Sequence, residues 1–295
     1  MIPAAFDYAR AESVDDAIAL LTEHGDDAKL LAGGHSLLPL MKLRLATPSV
    51  LVDVGRLREL SYVRDAGDHV AIGGLTRHHD LERSDLLREH VPLLAVAAGH
   101  VGDPQVRHRG TLGGTLAHAD PASDLPACVL ALRGTIVARS SGGEREIAAD
   151  DFFEGFLESA LTPDEVITEV RVPKATGAGF GFQKFNRRAQ DWAIVGVAAV
   201  GGDTPGVALV NMGSTPLRAA AVEARLADGA SPEQAAEVAD QGTEPPTDLN
   251  ASEEYRRHLA RVLVRRALAD AGSSRPGDAG SSRPGDAGSS RGGAR

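Results

Sequence analysis

Residues 102–124 read Gly102-Asp-Pro-Gln-Val-Arg107-His-Arg109-Gly110-Thr111-Leu-Gly113-Gly114-Thr115-Leu-Ala117-His118-Ala-Asp120-Pro121-Ala-Ser123-Asp124. A glycine pair, two arginines, several hydroxyls and three carboxylates share this polar stretch in mid-chain. Read as a loop, its backbone needs partners, which makes it a candidate binding element. A second glycine pair lies upstream in Ala32-Gly33-Gly34-His35-Ser36-Leu37-Leu38, between a strand-like run and a helix-like run. Paired glycines admit positive φ and close approach of backbone to a ligand. Exposed N–H groups at such a turn form an anion nest, and Ser36 can add a hydroxyl donor. The spacing matches neither the Rossmann fingerprint nor the P-loop. One glycine pair alone reads as a plain β-to-α turn. Two in one domain point to a ligand with two phosphates or an extended nucleotide.

Composition narrows the classes further. The chain has 295 residues, 42% hydrophobic and 24% charged, enough apolar content for a sizeable core. Lys plus Arg is 31 against 41 Asp plus Glu, a net charge of -10 that argues against a nucleic-acid or anionic-membrane surface. The single cysteine, Cys128, excludes an intramolecular disulfide, a paired-cysteine zinc site and a self-contained iron–sulfur cluster. Cys128 sits in an apolar run and reads as a small buried hydrophobe. No apolar run approaches the ~20 residues of a membrane span, and Met1-Ile-Pro-Ala-Ala-Phe shows no secretory pattern. The expected setting is cytoplasmic, with a peripheral place at the inner membrane face left open.

Around the two glycine segments the chain alternates element types. Ser13 and Asp16 have capping-box-like spacing, and Val14, Ala17, Ile18 and Leu21 follow at helical spacing up to Gly25, so the chain is expected to open on a helix. Residues 29–32 and 50–54 read as strands of a small α/β unit. From residue 61 the pattern changes. Residues 62–63 and 69–72 suit a hairpin about Ala66-Gly67, 92–98 and 125–132 suit buried helices, and 135–138, 146–148 and 166–172 suit strands. Residues 173–181 form a Pro/Gly/Ala linker and the main expected boundary. Three strands (182–185, 193–200, 207–212) and three helices (217–226, 231–239, 252–269) follow. On the last helix Tyr255, Leu259, Val262, Leu263 and Arg266 are the expected packing side, while Arg256, Arg257, Arg261, Arg265 and Arg266 suit a solvated face. From Asp270 an eight-residue repeat, DAGSSRPG, carries no apolar side chain larger than Ala or Pro and reads as a disordered tail.

Four segments then carry a resemblance: AGGHSLLPLMKLR (32–44), IGGLTRHHDLE (72–82), VGDPQVRHRGTLGGTLAHADPASDLPA (101–127) and KFNRRAQDWAIVGVA (184–198). In this order they resemble the FAD-binding medium subunit of the molybdenum hydroxylase family, with particular likeness to the medium subunit of aerobic carbon monoxide dehydrogenases. The likeness covers roughly residues 1–270. It implies an α+β fold: a two-subdomain FAD-binding domain of the vanillyl-alcohol-oxidase (PCMH) type over 1–175, with subdomains of about 1–57 and 58–175. A C-terminal domain of three-stranded antiparallel sheet plus helices would follow over 176–270, and the tail over 271–295.

The resemblance also implies roles. Lys29, Leu31, Ala32, Gly33, Gly34, His35, Ser36 and Leu37 would cradle the FAD pyrophosphate. Gly110, Thr111, Gly113, Gly114, Thr115 and Ala117 would form the other half, and Ser123 and Asp124 would meet ribityl or ribose hydroxyls. Lys184 falls where the family places a basic residue that would stabilise an anionic reduced flavin. Trp192 falls beside the isoalloxazine; simple core packing is its other reading. Thr115 and His108 stand where many relatives have Asn. The FAD would be non-covalent, with His35 the residue to reconsider otherwise. The His78-His79-Asp80 run resembles a metal cluster, but adjacent helical side chains diverge by ~100°. His118 and Asp120 are expected to pin their loop rather than act as an acid–base pair.

The implied function is electron transfer from 2Fe-2S clusters of a small partner subunit, through FAD, to an external acceptor. A large molybdopterin subunit would oxidise the substrate, in a dimer of heterotrimers. No catalytic side chain and no metal site is implied in this chain. Alternatives are the same subunit in an aldehyde or N-heterocycle dehydrogenase (nicotine, caffeine or a xanthine-like substrate), a non-redox FAD-binding assembly scaffold, or a free-standing flavin oxidase.

Overall fold

The structure, a computed structural model, describes residues 2–273. The first unit contains β1 (Asp7–Arg10), α1 (Val14–His24), β2 (Ala28–Leu31), α2 (Leu37–Leu43) and β3 (Val50–Asp53). Its three strands form a parallel sheet in the order β1-β3-β2. Ser13 caps α1 by accepting from the Asp16 amide, and Val14, Ala17, Ile18 and Leu21 turn inward against Val50, Val52 and Val54. Four apolar side chains at helical spacing fix which face of α1 meets the sheet.

The second unit contains β4 (Val63–Asp65), β5 (His69–Gly73), α3 (His78–Arg83), α4 (Asp85–His90), α5 (Pro92–Gly99), α6 (Pro104–Arg109), α7 (Leu112–His118), α8 (Asp124–Ala131), β6 (Thr135–Ser140), β7 (Gly143–Ala148), β8 (Phe153–Gly155), β9 (Glu158–Ser159) and β10 (Val166–Pro173). Five strands make an antiparallel sheet, β4-β5-β10-β6-β7, while β8 and β9 pair as a separate small hairpin. Helices α5 and α8 are apolar nearly all round and are sealed into one core with Val70, Ile72, Ile136 and Val170. Cys128 lies there, fully buried, and burial pushes its thiol well above the ordinary range.

The third unit contains β11 (Phe180–Phe185), β12 (Val195–Val200), β13 (Gly206–Val210), β14 (Leu217–Arg218), α9 (Ala220–Ala227), α10 (Pro232–Ala236) and α11 (Glu253–Ser273). Its antiparallel sheet runs β11-β12-β13-β14. Strand β12 is buried on both faces, by α11 on one side and by α5 and α8 on the other, so the sheet is shared between two cores.

Several expectations need correction. The chain opens on a strand before α1. The stretch 102–124 is not one loop: it carries α6 and α7, capped by Asp103 and Thr111, whose side chains accept from the amides of Val106 and Gly114. The C-terminal sheet has a fourth, two-residue strand where a helix was expected to begin. Helix α11 runs on to Ser273, so residues 271–273 belong to the fold and not to the tail. A Cβ on Gly179 would lie 2.7 Å from the Ala271 carbonyl carbon, which places the helix end tightly on β11's approach. The buried face of α11 is Leu259, Ala260, Leu263, Val264, Ala267 and Leu268, while Tyr255 is exposed. Arg256, assigned to the solvated face, is fully buried: it donates to the Ile194 carbonyl and pairs with Asp248 at 2.7 Å. The repeats beyond Ser273 lie outside the described residues.

Candidate functional site

A cavity of about 860 Å³ opens where the three units meet. That is near the top of the usual range for small-molecule sites. Of the residues expected to bind a cofactor, all but Leu31 line it. Leu31 ends β2 instead, its carbonyl accepting from Val54 and its side chain lying beneath Gly34.

The two glycine segments meet on one wall. A Cβ on Gly33 would lie 2.9 Å from the Arg109 carbonyl carbon and 3.1 Å from Gly110 Cα, so only glycine permits this approach. Gly34 has φ of 77°, the left-handed region. His35 Nε2 lies 3.3 Å from the Gln105 carbonyl, which ties the two segments together, and Arg77 from a third segment donates to the Arg109 carbonyl. Their amides differ in use. The N–H groups of Gly33, Gly34, His35 and Ser36 find no acceptor among the described residues. Those of Leu112, Gly113 and Gly114 are taken by Thr76 O, Gly74 O and Thr111 Oγ1. The first segment is therefore a donor nest. The second, expected to supply donors too, instead supplies a close-packed wall: a Cβ on Gly113 would lie 2.6 Å from Gly74 O, and one on Gly114 2.6 Å from Thr111 Oγ1.

At another part of the cavity Asp124, the first residue of α8, faces Lys184 of β11. Lys184 Nζ donates to Asp124 Oδ2 at 2.7 Å and to the His100 carbonyl at 3.0 Å, and both side chains are 6% exposed. The other carboxylate oxygen, Oδ1, is buried without a partner. Burial raises Asp124 to about 6, with Lys184 opposing the shift. The basic residue expected at Lys184 lines the cavity, with its charge paired to the Asp124 carboxylate. Trp192 is 60% exposed on a loop whose Arg188 and Asp191 pair at 3.1 Å, which excludes the core-packing reading. Asp120 accepts from the Ala122 amide at 2.8 Å and so holds its own loop.

Sequence reasoning missed two parts of the lining. One is the segment 157–167, where Glu165 is clasped by Arg145 at 2.6 Å and accepts from the Thr162 amide. No motif marked it. The other is His78, which was weighed only as a metal ligand. It is 4% exposed, lines the cavity, and is lowered to about 4 by burial and then by Arg77, while His79 stacks on His108 with ring centroids 4.0 Å apart. The two imidazoles share no face.

Residues 4–175 match the family described as FAD binding domain in molybdopterin dehydrogenase, and residues 180–271 match the CO dehydrogenase flavoprotein C-terminal domain. The chain belongs to this flavoprotein family. Its relatives include the carbon monoxide dehydrogenase medium chain of Hydrogenophaga pseudoflava, 42% identical over 91% of this chain and 97% of that one. The 6-hydroxypseudooxynicotine dehydrogenase complex subunit alpha of Paenarthrobacter nicotinovorans is 40% identical over 92% and 96%. Among solved structures, carbon monoxide dehydrogenase from Hydrogenophaga pseudoflava, in a form lacking the Mo-pyranopterin moiety, matches with a TM-score of 0.90 at 43% identity over 92% of this chain and 99% of that one. Quinoline 2-oxidoreductase from Pseudomonas putida 86 matches at 0.86 and 32% identity over 92% and 98%. The fold is shared with both solved structures.

The cavity fits the family's FAD on its own evidence. Free amides of residues 33–36 suit an anionic group, and an unpartnered buried carboxylate oxygen suits a hydroxyl donor.

Proposed function

We propose that this medium subunit carries electrons through FAD, from 2Fe-2S clusters of a small partner subunit to an external acceptor, with the substrate oxidised at a large molybdopterin subunit. The observation that carries the reading is one cavity built jointly by both family domains, with Lys184 and Trp192 of the second lining it together with the two glycine segments of the first. Bound there, FAD supplies the redox chemistry, taking electrons from a one-electron donor and handing them on.

The chain's own residues do the rest. Amides of residues 33–36 and the Ser36 hydroxyl would hold the diphosphate. Asp124 Oδ1 would accept from a ribityl or ribose hydroxyl, which removes its unpaired state. Lys184 and Trp192 would border the ring system. With one cysteine in the whole chain, the clusters belong to another polypeptide. No helix among the described residues is long and apolar enough to cross a membrane, which accords with a cytoplasmic complex.

Carbon monoxide is the proposed substrate of the assembled enzyme, on the likeness to the two carbon monoxide dehydrogenase medium chains at 42% and 39% identity. The 40% likeness to the pseudooxynicotine enzyme supports a second reading, an N-heterocycle or aldehyde dehydrogenase. The test is co-expression with a molybdopterin subunit and an iron–sulfur subunit of the same family, followed by stopped-flow reduction of the flavin. Reduction by carbon monoxide supports the first reading, and reduction only by an aldehyde or N-heterocycle supports the second. A flavin that stays oxidised while the partner clusters are reduced would overturn both and favour an assembly scaffold.

A further inference from the structure

We infer that the Asp124–Lys184 pair is a proton-holding site of the cavity wall, and that Asp124 takes up a proton when the bound flavin is reduced. The inference rests on the FAD reading above and adds to it a role for the carboxylate beyond holding a hydroxyl.

The geometry has three parts. Asp124 and Lys184 come from different domains and meet at 2.7 Å with both side chains almost sealed from solvent. Lys184 is held from a second side by the His100 carbonyl, so its position does not depend on the carboxylate alone. Asp124 Oδ1 is buried, lines the cavity and has no partner. The titratable groups facing Asp124 are Lys184 from β11, His100 behind that lysine, and Cys128 one turn along α8. None of them is an acid that is ionised at neutral pH.

With the flavin oxidised, the pair is neutral overall: one ammonium, one carboxylate. Two-electron reduction of bound FAD at neutral pH adds one proton to the ring system and leaves one net negative charge. That charge would share a low-dielectric wall with the Asp124 carboxylate and compete with it for Lys184. Two like charges at close quarters raise the affinity of one of them for a proton. If Asp124 binds that proton from solvent, Lys184 is left as a net positive charge in the wall of the cavity that would hold the reduced flavin. The balance is then two electrons from the donor, one proton to the flavin and one to Asp124. Burial already raises the carboxyl to about 6 before any flavin charge is added.

The experiment uses the full chain loaded with FAD and reduced with dithionite in an infrared cell. The reduced-minus-oxidised spectrum at about pH 7.5 should contain a protonated-carboxyl C=O band that shifts in deuterated water and is absent in Asp124→Asn. In parallel, the flavin midpoint potential should fall by about 60 mV per pH unit in the wild type and about 30 mV in the variant, since each proton taken up with two electrons is worth about 30 mV per tenfold change in its activity. A wild-type flavin that reduces fully with no carboxyl band, or with a band that survives in Asp124→Asn, overturns the inference and leaves the FAD reading standing. A chain that binds no flavin overturns both.

Discussion

Adding one methyl group at Gly33 should open the donor wall. A Cβ there would sit 2.9 Å from the Arg109 carbonyl carbon, nearer still to its oxygen, and 3.1 Å from Gly110 Cα, where ordinary contact begins at 3.4 Å. The neighbours are backbone and cannot rotate away. The two glycine segments must part by at least half an ångström, and the bridge between Arg77 and Thr111 moves with them. Overpacking of this kind costs about 1–3 kcal/mol. The apo protein can relax by letting the segments separate, so most of that cost should appear when a ligand demands the closed wall. At about 1.4 kcal/mol per tenfold, FAD affinity should fall roughly 5- to 150-fold. The assay is titration of apo Gly33→Ala with FAD, read by quenching of flavin fluorescence, beside a thermal melt of the apo protein. Gly99→Ala is the control, because its methyl would find nothing nearer than 3.5 Å. Unchanged affinity in Gly33→Ala, with an unchanged melt, would refute the idea that this close approach shapes the site.

Three further outcomes are expected. The fold keeps His78 neutral, lowered from 6.5 to about 4, so the unfolded chain binds the extra proton as pH falls and stability is lost from 6.5 downward; urea melts of apo protein at about pH 7.5 and about pH 5 should differ by about 2 kcal/mol more in wild type than in His78→Gln. Arg256→Ala leaves the Ile194 carbonyl buried without its donor and removes the cation from Asp248, and should cost about 1–3 kcal/mol in the same melts, whereas a solvated arginine would cost almost nothing. Ending the chain after Ser273 should leave flavin content and melting temperature unchanged, while ending it after Asp270 removes the Ala271 contact with Gly179 and should lower the melt by roughly 2–4 °C for about 1 kcal/mol; identical melts would show that the helix end contributes nothing.

What the sequence disclosed of the fold follows from where its information is local. The Ser13 cap, the apolar stripe of α1 and the continuous apolar runs of α5 and α8 are complete within a dozen residues, and each was legible. Strand β1 was not. Asp7-Tyr-Ala-Arg shows no apolar alternation and is largely exposed, and only pairing with β3, more than forty residues on, makes it a strand. The helices α6 and α7 had visible caps in Asp103 and Thr111, but the stretch around Gly113-Gly114 read as a loop. The pair sits in the first turn of α7 because Gly74 behind Gly113 and the capping Thr111 hydroxyl beside Gly114 leave no room for side chains. Arg256 was misplaced for a related reason: an arginine on a helix is read as solvated unless something marks its acceptors, and both acceptors lie outside the helix.

At the site, residue types were legible and pairings were not. Asp124 and Lys184 were each recognised as lining a flavin cavity, one as a hydroxyl acceptor and one as a cation, but sixty residues separate them. Nothing in either segment says that they neutralise each other. That pairing changes the electrostatic argument. A lone buried lysine would raise the flavin potential by the same amount at every pH where it stays charged. A paired one contributes little until its partner is protonated, and then contributes fully. The influence of this wall on the flavin therefore depends on proton content, so the pH dependence of the potential in wild type, Asp124→Asn and Lys184→Met separates a fixed charge from a titrating pair.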